Sequence, residues 1–207
     1  MRLRSGRLAA LAFLLLGSSV LAGAQTITAG NLPGTVNFGF NPSPVVLTAI
    51  DLSFPATGAG EMTSATFLWS LAPCAMTVKI KFFRRSGDTL IFLAERGPFD
   101  VNGTTQAVAL TPSVPVLAGD LVGITRVAGC GSPVGVNPGA LNGLVAYPGD
   151  ISTSVSISSG TTAPNSTLAV QATGPEAQDL LRVRAAILVM SEVLHRHEGY
   201  FGSGSAG

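Results

Sequence analysis

The sequence predicts an all-β fold: an antiparallel β-sandwich, of jelly-roll or immunoglobulin-like type, with a C-terminal helix behind it. Three observations carry this. Eight or so short segments alternate apolar and polar residues, turn residues (Gly, Pro, Asn, Asp) separate them, and no helical apolar spacing appears before residue 175. A period of two does not distinguish the two topologies.

The organising stretch is Val78 to Phe99, read as a β-hairpin. Val78, Ile80 and Phe82 point one way, and Lys79, Lys81, Phe83 and Arg85 the other. Ser86-Gly87-Asp88 supplies the turn. The return strand, Thr89 to Ala94, is apolar on both faces and is expected at the centre of a sheet.

Before the hairpin, residues 25–44 form a Gly/Pro-rich lead-in with an edge strand near Val36 to Phe40. Val45 to Phe54 is the first strong strand, closed by Pro55. Glu61 to Ser70 follows, with Thr63, Ala65, Phe67 and Trp69 as its inward face. After the hairpin, Gly97-Pro98 is expected to break the chain. Asp100 to Thr104 reads as a turn, Thr105 to Leu110 as a strand, and Thr111 to Pro115 as a crossing. Ala118-Gly119-Asp120 turns into a strand from Leu121 to Val127. Gly129 to Gly149 reads as a long loop holding Tyr147. Ile151 to Ile157 and Thr167 to Ala172 complete the set, and residues 45–174 make one β-sandwich domain.

Beyond it, residues 175–198 read as a helix. Leu180, Val183, Ile187, Met190 and Leu194 recur at three- and four-residue steps, with acids at the start and bases at the end. Leu181 to Val189 also alternates, so a final strand is the competing assignment. Residues 199–207 read as a disordered tail.

Residues 1–24 have the pattern of a Sec-type signal peptide cleaved before Gln25. Arg2, Arg4 and Arg7 precede an apolar run, and Ala22-Gly23-Ala24 is a small-x-small site. The expected address is therefore secreted, periplasmic or at the cell surface, with no membrane association after cleavage. Losing three arginines takes the formal charge from +1 to −2, which argues against a nucleic-acid partner. Only 11% of residues are charged and 46% are hydrophobic, a balance that excludes disorder. Cys74 and Cys130 are the only cysteines. In an oxidising compartment they read as a disulfide, with a stabilisation of about 4 kcal/mol by chain entropy.

Three motifs carry a resemblance. They are Lys79-x-Lys81-Phe82-Phe83-Arg84, Gly97-Pro98-Phe99 and Ala118-Gly119-Asp120-Leu121-x-Gly123. They are similar to those of the jelly-roll-like β-sandwich domain of uncharacterised secreted bacterial proteins, over residues 45 to 173. The resemblance implies a fold and a secreted life, with no activity attached.

The search for chemistry returns little. Hydrolytic triads need a base beside the nucleophile, and the two histidines, His195 and His197, lie in the tail. A glycosidase needs two carboxylates at a set separation. Glu61, Glu95, Asp51, Asp88, Asp100, Asp120 and Asp150 are available, most of them in turns. Asp100 to Thr104 is a fragment of a calcium loop without its distal Glu, and His195 and His197 at i and i+2 do not share a helix face. No metal or cofactor is expected. Asn102-Gly103-Thr104 and Asn165-Ser166-Thr167 match the glycosylation sequon.

For ligand binding, Tyr147 is the exposed aromatic expected, and Trp69 reads as core. Lys79, Lys81, Phe83 and Arg85 form an outward stripe that could meet an anionic polymer or guard a sheet edge. The resulting expectation is a non-enzymatic extracytoplasmic module for surface interaction or structure, with an extracellular protein or polysaccharide as partner. A carbohydrate-binding module is the alternative, and a carboxylate-pair hydrolase the remote one.

Overall fold

The computed structural model describes residues 25–32, 46–68, 76–101, 105–128, 134–136, 142–177 and 187–191. Their strands form two stacked antiparallel sheets and a small ribbon. The four-stranded sheet runs β1 (Thr26–Asn31), β13 (Val170–Pro175), β3 (Gly60–Leu68), β6 (Thr105–Val116). In the seven-stranded sheet, β5 (Thr89–Val101), β4 (Met76–Ser86), β7 (Leu121–Ala128) and β2 (Leu47–Asp51) form the body. There β10 (Val155–Ser156) lies outside β5, and β9 (Leu144–Pro148) then β11 (Thr161–Ala163) lie outside β2. The ribbon pairs β8 (Val134–Val136) with β12 (Ser166–Leu168).

The pairings nest. β4 pairs with β5, β3 with β6, β2 with β7 and β1 with β13. The chain is thus one long hairpin, folded at Gly87-Asp88 and rolled so that successive pairs fall in alternate sheets. This strand order is that of a jelly roll, and it decides between the two topologies open to the sequence. The Val78–Phe99 hairpin is the innermost pair. Residues between β7 and β13 form an insertion that supplies β8 to β12.

The inner layer is mostly apolar. Phe67 from one sheet meets Val78, Ile80, Phe82, Val122 and Ile124 from the other, all at most 2% exposed. Ile27 and Ala29 of β1 join this core, so the sandwich begins well before residue 45. Only two of the six residues in β1 are apolar and buried, too few to announce a strand. The edge strand expected near Val36 to Phe40 lies outside the described residues.

Several expectations are corrected. β2 ends at Asp51 because its carboxylate accepts hydrogen bonds from the Ser53 and Phe54 amides, at 2.8 and 3.3 Å, and turns the chain. In β3 the register slips between Met62 and Ser64, so Met62, Ala65 and Phe67 point inward and Thr63 is exposed. β5 does not stop at Gly97-Pro98: a second irregularity, opposite Val78 and Ile80, absorbs them. The expected central, doubly covered strand is not found: Leu90 is buried but Ile91 is 39% exposed, and β5 lies near the sheet edge, where β10 pairs only with Thr89 and Leu90. β6 runs through Pro112 and Pro115, which an edge strand tolerates. The described part of residues 129–149 contains β8 and β9, and 151–157 is no full strand. It carries β10 and a 3₁₀ turn, Ile157–Ser159.

Pro175 closes β13, Glu176 bridges to Gly60, and Ala177 is already helical, so the expected helix opens two residues later than its first bound. Residues 187–191 are helical, with Ile187, Leu188, Val189 and Met190 exposed. The remainder of the expected helix and tail, Trp69, and both Cys74 and Cys130 fall outside the described residues.

Candidate functional site

The insertion leaves β9 at one side of the seven-stranded sheet and reaches β10 at the other. In between, residues 149–154 cross the sheet's outer face as a strap. Five inter-strand gaps at about 4.8 Å make roughly 24 Å, and the seven residue steps from Pro148 to Val155 reach about the same distance. The crossing therefore leaves little slack. Ile151, Val155 and Ile157 pack down onto a second apolar cluster that includes Ile50, Phe83, Leu90, Leu121 and Tyr147.

Beside that cluster the strap closes over four charges. Lys79 and Lys81 project from the outer face of β4, Glu95 from β5, and Asp150 from the strap. Lys81 Nζ donates to Glu95 Oε2 at 2.5 Å and lies 2.7 Å from Asp150 Oδ1. Lys79 Nζ donates to Asp150 Oδ2 at 2.7 Å and to Glu95 Oε1 at 3.0 Å. Each ammonium therefore bridges both carboxylates, and the set is neutral. Lys81 has no exposed surface, and its Nζ also sits 5.3 Å from the centre of the Phe92 ring.

The electrostatics follow the geometry. The hydrogen bond from Lys81, with a smaller one from Lys79, outweighs burial and holds Glu95 below the usual carboxylate range. Burial pushes Asp150 up, but hydrogen bonds from Lys79 and Lys81 together bring it below its ordinary value. Hydrogen bonds to Asp150 and then Glu95 raise Lys79.

Polar contacts fasten the strap along its length. Thr48 Oγ1 donates to the Gly149 carbonyl at 2.8 Å and accepts from the Ile151 amide at 3.1 Å. The Thr125 hydroxyl lies 2.8 Å from it. Tyr147 Oη donates to the Ser156 carbonyl at 2.9 Å. At the far edge the hairpin turn takes over: Asp88 accepts from the Ser156 and Ser158 hydroxyls, and its carbonyl accepts from the Ile157 amide at 2.7 Å. Those hydroxyls lower Asp88.

The other carboxylates are likewise engaged. Asp51 is buried, and besides the Ser53 and Phe54 amides it accepts from Thr167 Oγ1 and the Leu168 amide, which ties β12 to the end of β2. Burial raises it despite these donors. Asp120 holds Arg84 bidentately at 2.8 Å and 2.8 Å, and caps the turn through the Leu117 amide. Glu61 accepts from the Ser113 hydroxyl, and Asp100 from that of Thr77 at 3.1 Å. Among the described residues, every buried side-chain nitrogen and oxygen has a partner, and no group of three or more His, Cys, Asp or Glu is placed to hold a metal.

Of the residues singled out from sequence, Lys79, Lys81 and Phe83 do share the outer face, but the strap covers them. Lys81 and Phe83 are fully buried, and only Arg85 is exposed. Tyr147 is 4% exposed, on a strand and under the strap, so it is no exposed platform. For the β4 residues the physical reason is shared, since what covers them comes from about 70 residues further along the chain, whereas Tyr147 is covered by the segment that directly follows it.

No protein family and no curated protein matches the chain. Among solved structures it is similar to the cysteine protease and lectin-like domains of a surface-layer-associated protein of Clostridium difficile. The identity is 10% and the TM-score 0.40, over 66% of this chain and 33% of that one. The chain thus spans about a third of that neighbour's length, and a likeness this distant says nothing about function.

Glu95 and Asp150 were not legible as partners of the lysines. Counting outward from the turn, Ser86 opposite Thr89 and Phe83 opposite Phe92, would place Lys81 opposite Ala94. An irregularity between Phe82 and Phe83 inserts one residue on β5 and brings Glu95 opposite Lys81. Asp150, in a Pro-Gly-Asp run, reads as an ordinary turn residue.

Proposed function

We propose that this protein is an exported, non-enzymatic jelly-roll module that serves a structural or interaction role outside the cytoplasm, with an extracellular protein or polysaccharide as its partner. The leader pattern of residues 1–24 supports the address. Among the described residues, no helix is long and apolar enough to cross a membrane. The observation that carries the reading is the contrast between the two outer faces. The charged face is closed by the strap, and its lysines and carboxylates satisfy one another. The outer face of the four-stranded sheet instead presents uncharged rows across neighbouring strands: Thr28, Thr173, Ser64 and Ala109 in one, Gln171, Thr66 and Ala107 in the next. These side chains are exposed or half-buried, and an uncharged, hydroxyl-bearing patch suits contact with another surface rather than bond-breaking chemistry.

The test is a thermal-shift screen of the purified protein against polysaccharides and extracellular fractions, since a ligand that binds only the folded state raises the melting temperature. The reading predicts saturable binding that Thr66→Arg with Ala107→Arg abolishes while the unliganded melting temperature stays unchanged. Hydrolytic turnover that vanishes on changing one carboxylate would overturn it, as would binding indifferent to the two arginines.

A further inference from the structure

The four-charge cluster holds more than an ion-pair network requires. Lys81 is a fully buried amine whose nitrogen touches two carboxylates at once, Asp150 at 2.7 Å and Glu95 at 2.5 Å. Lys79 Nζ holds the other oxygen of Asp150 at 2.7 Å. An amine, a carboxyl within its reach, a second carboxylate on the same nitrogen and a cation on the remaining oxygen are the parts needed to make an amide. We propose that Lys81 and Asp150 condense into an intramolecular isopeptide bond, with Glu95 relaying the proton, which staples the strap to the sheet.

The step balances without any co-reactant. Glu95 Oε2 takes a proton from the Lys81 ammonium and frees its lone pair. Nζ attacks Cγ of Asp150, forming the C–N bond. Negative charge gathers on Oδ2, where the Lys79 ammonium already donates. The proton held by Glu95 passes to Oδ1, the C–Oδ1 bond breaks, and a second proton from nitrogen completes a water molecule. An ammonium and a carboxylate thereby become one neutral amide and one water, and Glu95 ends as it began. Holding the two groups in contact gives an effective concentration on the order of 10⁵–10⁸ M, which favours condensation over hydrolysis. The product also removes two charges from a covered site, where holding them is costly.

Geometry selects the pair. Lys81 and Glu95 face each other across the β4–β5 ladder, so their long side chains run alongside and an amide between them would double both back. Asp150 reaches the cluster from the strap on a short stem. Lys79 retains 21% side-chain exposure and contact with water, whereas Lys81 retains none.

The test is the intact mass of the purified, reduced protein, followed by tryptic mapping. The wild-type chain is expected one water lighter than its sequence, uncut after Lys81, with the Lys81 peptide joined to the one carrying Asp150. Asp150→Ala restores the full mass and the cut. Glu95→Gln, which keeps the side-chain shape, should leave most of the chain unlinked. A wild-type chain at full mass with normal cleavage after Lys81 overturns the proposal. So does a water loss mapped elsewhere, or a link from Lys81 to Glu95. An undiminished link in Glu95→Gln removes Glu95 from the reaction.

Discussion

The two faces of the seven-stranded sheet are both buried, and they are buried differently. The inner face meets the opposite sheet and is mostly apolar, with Val78, Ile80 and Phe82 pointing into it and the buried Arg126 opposite Val78 as a charged member. The outer face meets the six-residue strap and the β10 segment after it, and beside the apolar patch of Phe83, Leu90 and Tyr147 it encloses two lysines and two carboxylates. The same strand, β4, supplies both. Period two tells which residues share a face, but not whether water reaches it. That is decided by what the rest of the chain lays across it.

The largest expected effect tests the register of the inner face. Ala65 and Thr63 lie on the same side in a plain alternation, yet the β3 irregularity buries the first and exposes the second. Ala65→Lys should abolish folding by placing an unpaired charge between the sheets. Thr63→Lys should change stability by less than about 0.5 kcal/mol in a urea titration. Equal losses in the two variants would mean that the alternation runs unbroken.

The next pair compares the faces directly. Phe82→Ala should cost about 3–5 kcal/mol through cavity formation. Lys81→Ala, on the covered face, should cost about 2–4 kcal/mol, because it leaves two partly buried carboxylates with one cation between them. A loss below about 0.5 kcal/mol for Lys81→Ala would mark the outer face as open to water. Tyr147→Phe removes a single hydrogen bond to the strap and should cost about 1 kcal/mol.

The smallest effect is a pH dependence at the strap's far edge. Asp88 sits below its ordinary value of 3.8, so the folded state binds this proton less readily than the unfolded one. Its contribution is present above about pH 4 and is lost as the pH falls through the lower folded value. Asp88→Asn should therefore narrow the gap in urea midpoint between pH 7 and pH 3, and an unchanged gap would separate the Ser156 and Ser158 contacts from stability.

Much of the inner face could be read in advance. The hairpin, its turn at Gly87-Asp88 and the inward set Val78, Ile80 and Phe82 follow from alternation and turn chemistry alone. The outer face could not, because three of its determinants are not local. One extra residue on β5 sets Glu95 against Lys81. The strap arrives from beyond β9. Its alternation, Ile151, Val155 and Ile157 against serines, is amphipathic for a reason other than strand pairing: the apolar side packs onto Phe83 and Leu90 while the serines at 156 and 158 hold Asp88. The same pattern can mark a ladder strand or a tether lying across one. The nesting of strand pairs was equally invisible, since each is set by contacts between distant segments.

The measurement that tests closure of the outer face most directly is amine footprinting with an acylating reagent on the native protein, mapped residue by residue. The account predicts that Lys81 stays unmodified under conditions that label Lys79, the only other lysine, and a lysine-containing reference peptide, and that Asp150→Ala makes it reactive. Labelling of Lys81 in the wild-type protein at the rate of an exposed lysine would contradict it, and would return the outer stripe to the surface as a candidate binding face.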